Sequence, residues 1–274
     1  MKSDPILYQV LPTGVGLITL NSPDNLNALT PEMTSLLIRY IAAAEGDHQV
    51  RCVAVVGTGR GFCAGTDIKG LNRRQFSGAA AKHDPEEAAR QRLEGLRKLQ
   101  DGISLKLHSM AKPTVAIVNG FAIGAGFSLA LSCDLRLCGS EGKLATGFRN
   151  LAASGDMGGT YFLSKLVNEA QARELVFSGE TLTAERALAL GLVNRVYGQD
   201  ELMARALDFC GELAAGPTFA FGLAKQNLLA ARLLSAKEAL DYEAANMITS
   251  LYSEDHREAV KAFVEKRKPS FKGR

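Results

Sequence analysis

Two segments of this 274-residue chain place bare backbone where chemistry could use it: Gly61-Phe62-Cys63-Ala64-Gly65-Thr66-Asp67-Ile68 and Asn119-Gly120-Phe121-Ala122-Ile123-Gly124-Ala125-Gly126-Phe127-Ser128. Each follows an apolar run that reads as a strand, and the second leads into the helical Leu129-Ala130-Leu131. A strand that ends in glycines and opens a helix presents free N–H groups and the positive end of a dipole, a natural site for a negative oxygen. Two such termini converging on one point would form an oxyanion hole. The same small residues would also serve close strand–helix packing, and neither segment alone decides between the two.

Other chemistries lack their residues. No G-x-G-x-x-G follows a strand and no G-x-x-x-x-G-K-[ST] occurs; the cluster Gly57-Thr58-Gly59-Arg60-Gly61 has the wrong spacing for phosphate. His48, His83, His108 and His256 stand far apart, with neither H-E-x-x-H nor C-x-x-C, so metal ligation has no support. A serine nucleophile elbow, G-x-S-x-G, is missing as well.

The elements that must position these segments are strands and crossover helices. Val15–Leu20, Cys52–Gly57 and Thr114–Asn119 read as strands, apolar enough to be buried on both faces. Between the first two, Thr30-Pro31-Glu32 is a helix start, with Met33, Leu36, Leu37, Tyr40 and Ile41 following at helical spacing. From Asn72 to about Arg92 the pattern loosens into a long loop, a lid or simply disorder, before Asp84-Pro85-Glu86-Glu87 opens another helix. Beyond Asp200 strand signals cease and helix caps follow at Ser235 and Ser253. The expected organisation is an α/β core over residues 1–199 with a helical region over 200–274.

Composition bounds the class. With 46% hydrophobic residues and a net charge of +3, the chain reads as a globular protein with a large core, without the basic excess of a nucleic-acid binder. The 5 cysteines are odd in number and lie mostly in apolar runs, which reads as reduced thiols. The first residues carry no leader-like pattern, so a cytoplasmic location is expected, with neither a membrane nor a nucleic-acid partner.

Taken in order, the motifs resemble the crotonase (enoyl-CoA hydratase/isomerase) superfamily. Asn21-Ser22-Pro23-Asp24-Asn25-Leu26-Asn27-Ala28-Leu29 is similar to the family's N-x-P-x-x-x-N-A-L, and Phe62 to Ile68 to its F-C-A-G-x-D-L. Asn119 to Ala130 resembles N-G-x-A-x-G-G-G-x-x-L-A, followed by Asp134 to Arg136. Ala184 to Val196 resembles a later family segment, and Ala262 to Arg267 with Phe271 its C-terminal signature.

The resemblance implies a spiral of ββα turns, a C-terminal helical trimerisation region, assembly as a homotrimer or dimer of trimers, and an acyl-CoA thioester substrate with no cofactor beyond its CoA. It carries the two carbonyl-polarising peptide N–H groups onto Thr66 and Ala125. It carries CoA contacts onto Asn25, Leu26, Ala64, Thr66, Asp67 and Ile68, and onto Phe263 and Lys266 of a neighbouring subunit. Pocket walls are expected from Leu71 to Leu96, Phe148, Met157 and Tyr161.

The departures from the family pattern point to the reaction. The two glutamates of the hydratases fall at Ser128 and Phe148, neither of which can act as a carboxylate. A single acid remains nearby, Asp156 in Ala153-Ser154-Gly155-Asp156-Met157-Gly158-Gly159-Thr160, a stretch that resembles the P-D-x-G-G of the family's isomerases. A double-bond shift needs one base and an oxyanion hole, which makes an isomerase the leading expectation. Asp156 could instead be a helix N-cap. Hydration with a second acid such as Glu141, a dehalogenase in which Asp156 is the nucleophile and His83 the base, and a non-catalytic CoA-binding scaffold are the alternatives. An RNA-binding role would want an unbroken basic helix, and Glu94 interrupts Arg90, Arg92, Arg97 and Lys98.

Overall fold

Strand and helix alternate along the chain because apolar runs of five or six residues alternate with helical periodicity, and the computed structural model, which describes residues 4–68, 70 and 84–274, arranges them in two sheets. The elements begin with β1 (Ile6–Val10), β2 (Val15–Leu20), α1 (Pro31–Gly46), β3 (Cys52–Gly57), β4 (Gly61–Cys63) and α2 (Pro85–Leu99). A π-type stretch, Gln100–Leu105, joins α2 to α3 (Lys106–Ser109), followed by β5 (Thr114–Val118), β6 (Phe121–Ile123) and α4 (Ala125–Ser132). Then come β7 (Leu135–Gly139), β8 (Lys143–Ala145), α5 (Gly159–Leu166), α6 (Glu169–Ser178), β9 (Leu182–Thr183), α7 (Ala184–Ala189) and β10 (Arg195–Tyr197). The remainder is helical among the described residues: α8 (Leu202–Ala215), α9 (Thr218–Ala230), α10 (Ala236–Leu251) and α11 (Glu254–Val264).

The larger sheet has six strands in the order β1-β2-β3-β5-β7-β10, the smaller four in the order β4-β6-β8-β9. Successive turns of chain place one strand in each sheet and then a helix: β3-β4-α2, β5-β6-α4 and β7-β8-α5. This is the expected ββα spiral. Within each sheet these consecutive turns pair in parallel. The turns are also stitched at their corners, where the Asn119 side chain accepts from Gly57 N–H at 3.2 Å and donates to the Gly59 carbonyl at 2.9 Å.

The larger sheet is buried on both faces, as its apolar strands require. Val53 and Val55 of β3 join a core with α1 and α4, while Cys52, Ala54 and Val56 face the other way. That second face is covered by α8 through Leu202, Ala206, Cys210 and Ala214, a spacing of four that keeps one stripe on the sheet. All five cysteines are buried and free.

Thr30 caps α1 through Met33 N–H, as its position before Pro31 suggests. Asp84 caps α2 through Glu86 N–H, and Glu87 pairs with Arg90 one turn on. The chain end is tied down as well: Arg51 donates to the carbonyls of Gly216 and Phe271, and the buried Asp255 accepts from Lys272 and Gly273 N–H at 2.6 and 2.8 Å. In contrast, α10 buries no residue and leaves Leu240, Met247 and Ile248 exposed. Among the described residues no helix is long and apolar enough to cross a membrane.

Candidate active site

A cavity of about 670 Å³ opens between α1 and α2. Its lining brings together Thr66, Asp67, Asp156 and Met157 with Leu29 and Ile38 on one side and Leu96 and Leu99 on the other.

Backbone pairing sets the direction of the Thr66 amide. Leu29 N–H donates to the Gly65 carbonyl at 2.7 Å and the Leu29 carbonyl accepts from Asp67 N–H at 3.1 Å, an isolated parallel bridge. In that pattern the residue between the two partners turns its own N–H away from the bridge, so the Thr66 amide points away from Leu29. Ala125 is the first residue of α4 and has no carbonyl one turn back to receive its N–H.

The two amides are neighbours because glycine lets their backbones touch. Gly65 has φ +96°, and a Cβ there would sit 2.9 Å from the Ile123 carbonyl oxygen and 3.5 Å from the Ala125 nitrogen. A side chain at Gly126 would collide with the Cys63 carbonyl. Small residues here therefore do both things at once: they allow the close packing, and the packing juxtaposes two donors that are unpaired among the described residues. The helix does not grow straight out of the strand Thr114–Asn119, as the sequence suggests; the short β6 intervenes, and Gly124 at φ +57° redirects the chain into α4.

Asp156 occupies a contorted turn. Gly155, Met157 and Gly158 all have positive φ, at +127°, +50° and +78°. For Met157, which is 1% exposed, a left-handed backbone is strain of about 1–3 kcal/mol that surrounding contacts must offset. One such contact is the Ser104 hydroxyl, which donates to the Met157 carbonyl at 2.8 Å from the π-type stretch. Irregular turns of this kind recur at functional sites.

The carboxyl of Asp156 does not cap α5. That helix begins after Gly158 with no side-chain cap, and Asp156 reaches it only through its main-chain carbonyl, which accepts from Gly159 N–H. Its side chain accepts from Met157 N–H at 2.5 Å. Burial pushes its pKa above the ordinary aspartate value, and the Met157 hydrogen bond partly opposes this. Asp67, the other acid of the cavity, instead folds back on its own loop and accepts from Gly70 N–H at 3.1 Å. Among the described residues no cluster of His, Cys, Asp or Glu could hold a metal ion.

The family model described as enoyl-CoA hydratase/isomerase matches residues 11–274. The chain belongs to that family. It is 34% identical over 261 residues to the 1,2-epoxyphenylacetyl-CoA isomerase of Escherichia coli K12, covering 95% of this chain and 96% of the relative. It is 31% identical to the short-chain-enoyl-CoA hydratase of Clostridium acetobutylicum, over 95% of each chain. The crystal structure of an enoyl-CoA hydratase from Polaromonas sp. JS666 superposes with a TM-score of 0.85 at 32% identity, covering 97% of this chain and 99% of that one.

Within this enoyl-CoA hydratase/isomerase fold, the residues expected from the sequence divide into groups. Thr66, Asp67, Asp156 and Met157 meet at the cavity, and Ala125 lies behind it, 2% exposed, against Gly65. Asn25, Leu26, Ala64 and Ile68 are not among its lining residues; Leu26 has a left-handed backbone and its carbonyl accepts from Ala64 N–H. Phe263 is 85% exposed at the end of α11, with Lys266 beyond it at φ +53°, and neither lines the cavity of its own chain.

Three expected pocket features fall elsewhere. Phe148 lines a second cavity of about 480 Å³ with Phe127, Val176 and Phe177. Tyr161 packs edge-on against Phe162 and His108. Glu141 is exposed in the β7–β8 turn, outside the cavity of Asp156. Residues 71–83, including His83 and most of the loop read as a lid, lie outside the described residues. Ser128 is fully buried, its hydroxyl on the Gly124 carbonyl, and α5 approaches so closely that a side chain at Gly159 would collide with it.

Two positioning residues escape a reading of the sequence. Ser104 is a lone serine in an apolar helical stretch, with nothing to mark it. Asn27 lies within the first motif, and its amide donates to the Thr58 and Gly61 carbonyls while accepting from Ser22 N–H, clamping the Leu26–Asn27 turn onto β4.

Proposed function

We propose that this enzyme is an enoyl-CoA isomerase in which Asp156 carries a proton between two carbons of an acyl-CoA thioester. The observation that supports it most is that the Asp156 carboxyl lines the same cavity as Thr66, does not cap the helix that follows it, and has its pKa raised by burial.

In this reading the thioester carbonyl accepts hydrogen bonds from the Thr66 and Ala125 amides. Asp156 removes a proton from carbon, the electron pair moves into the thioester, and the negative charge rests on the carbonyl oxygen between the two donors. The enolate then collapses as protonated Asp156 returns the proton to the carbon at the other end of the conjugated system, so the double bond moves and no water is added. No cofactor besides the CoA of the substrate takes part. Asn25, Leu26, Ala64, Asp67 and Ile68 hold CoA, with Phe263 and Lys266 supplied by a neighbouring subunit. The exposed apolar face of α10 and α11 is the subunit contact of a homotrimer or a dimer of trimers.

The isomerase relative from Escherichia coli supports this reading, and the Clostridium hydratase supports a second, hydration by Asp156 with another acid. Mass spectrometry of enoyl-CoA thioesters incubated with the purified protein separates them. A relocated double bond at unchanged mass supports isomerisation; a gain of one water makes the enzyme a hydratase.

A further inference from the structure

The hydroxyl-bearing residues on the lining of the Asp156 cavity are Thr30, Thr34, Ser35 and Thr66, and the fold itself occupies all but the last. Thr30 caps α1 by accepting from Met33 N–H at 3.2 Å, and Thr34 and Ser35 both donate to the Pro31 carbonyl at 2.9 Å. Among the described residues the half-buried Thr66 hydroxyl takes part in no hydrogen bond. Nor does the backbone ask for an oxygen there. Leu29 bridges to Thr66 through the main-chain groups of Gly65 and Asp67, and valine, equally β-branched, would suit that extended position as well.

The reach of the hydroxyl follows from the amide of the same residue. Thr66 Oγ is separated from its own nitrogen by Cα and Cβ alone, and in the gauche rotamers both lie on one side of the residue. An oxygen atom that accepts from Thr66 N–H is then within reach of Thr66 O–H as well. Once a ligand fills the cavity and drives water out, the hydroxyl finds a partner or stays unpaired at a cost. The acceptors at hand are the Asp156 carboxylate and the thioester carbonyl oxygen beside the Thr66 and Ala125 amides. Asp156 accepts from Met157 N–H, and that bond alone opposes the rise of its pKa, so Thr66 does not hold it in this structure. The carbonyl oxygen is the acceptor that remains.

We propose that Thr66 is a catalytic residue through its side chain as well as its amide, the hydroxyl donating a third hydrogen bond to the thioester oxygen and to the enolate formed there. The proposal rests on the acyl-CoA reading of the site. It does not depend on whether Asp156 isomerises or hydrates, because negative charge gathers on that oxygen in both reactions.

Difference infrared spectroscopy of bound butyryl-CoA, isotopically labelled at its carbonyl, reads the hydrogen bonding of that oxygen directly, and a saturated chain can neither isomerise nor add water. The wild type is expected to move the carbonyl stretch to lower frequency. Thr66→Val, which keeps the amide and the shape, should lose about a third of that displacement, one donor in three, while Thr66→Ser retains it. Tm measured by calorimetry should not fall in Thr66→Val, since the fold gives the hydroxyl no partner. An unchanged displacement in Thr66→Val would overturn the proposal. Loss of the displacement in Thr66→Val and Thr66→Ser alike, with a lowered Tm, would overturn it too by making the side chain structural. A wild type that binds butyryl-CoA without moving the stretch, or fails to bind it, would instead refute the oxyanion-hole reading beneath the proposal.

Discussion

Ser104 and Met157 are joined by a buried hydrogen bond, hydroxyl to main-chain carbonyl at 2.8 Å, which anchors the turn carrying Asp156 to the π-type stretch after α2. Losing that donor leaves a buried carbonyl unpaired, at a cost of about 1–3 kcal/mol. Ser104→Ala is therefore expected to lower kcat substantially while leaving KM for the thioester nearly unchanged, since Asp156 loses its position but the CoA contacts do not. Steady-state kinetics on the variant checks this split; an effect on KM alone would remove Ser104 from the positioning of Asp156.

The pH dependence follows from the burial of Asp156. Its native pKa lies above the ordinary aspartate value, so the carboxylate base is lost at a higher pH than an exposed aspartate would be. The profile of kcat/KM should rise with pH through a step above the ordinary aspartate value.

Linkage gives the same group an opposite effect on stability. A raised native pKa favours the folded state while the group is protonated, and that contribution is lost as pH rises through the native value. Asp156→Asn, which keeps an oxygen for Met157 N–H, should then equal or exceed the wild type in Tm at neutral pH while losing activity. A clear drop in Tm measured by calorimetry would make Asp156 structural.

Gly65 carries both a φ of +96° and a near contact with the Ile123 carbonyl. Gly65→Ala should cost about 1–3 kcal/mol through the strained backbone and reduce kcat by shifting the Thr66 amide relative to Ala125. Urea denaturation and kinetics on the same variant read the two effects separately.

Burial pushes the thiols of Cys63, Cys133 and Cys138 up to about 12, so at neutral pH they are protonated and inert. A thiol reagent should leave the native protein unlabelled and reach five cysteines once it is unfolded.

Much of this architecture is legible in the residues because its elements are strongly periodic. The apolar runs of β2, β3 and β5 read as strands buried on both faces, and Thr30-Pro31 marks the start of α1 at its true position. The neighbouring amides of Thr66 and Ala125 were legible through the glycines, since only small residues let β4 and α4 approach. The short β6 was not, because three residues carry too little pattern to distinguish a strand from the loop into a helix. Nor was the role of Ser104, whose partner is a carbonyl 53 residues away. A helix cap was the other use the residues allowed for Asp156, and the positive φ at Met157, which no residue type announces, turns it aside from that use.

The central claim, that Asp156 moves a proton on and off carbon, is tested most directly by deuterium exchange into an enoyl-CoA thioester in heavy water, comparing the wild type with Asp156→Asn. The wild type is predicted to incorporate solvent deuterium into the acyl chain, and the variant to do so at least about 100-fold more slowly while binding the thioester equally well. Exchange at the same rate in both proteins would contradict the account.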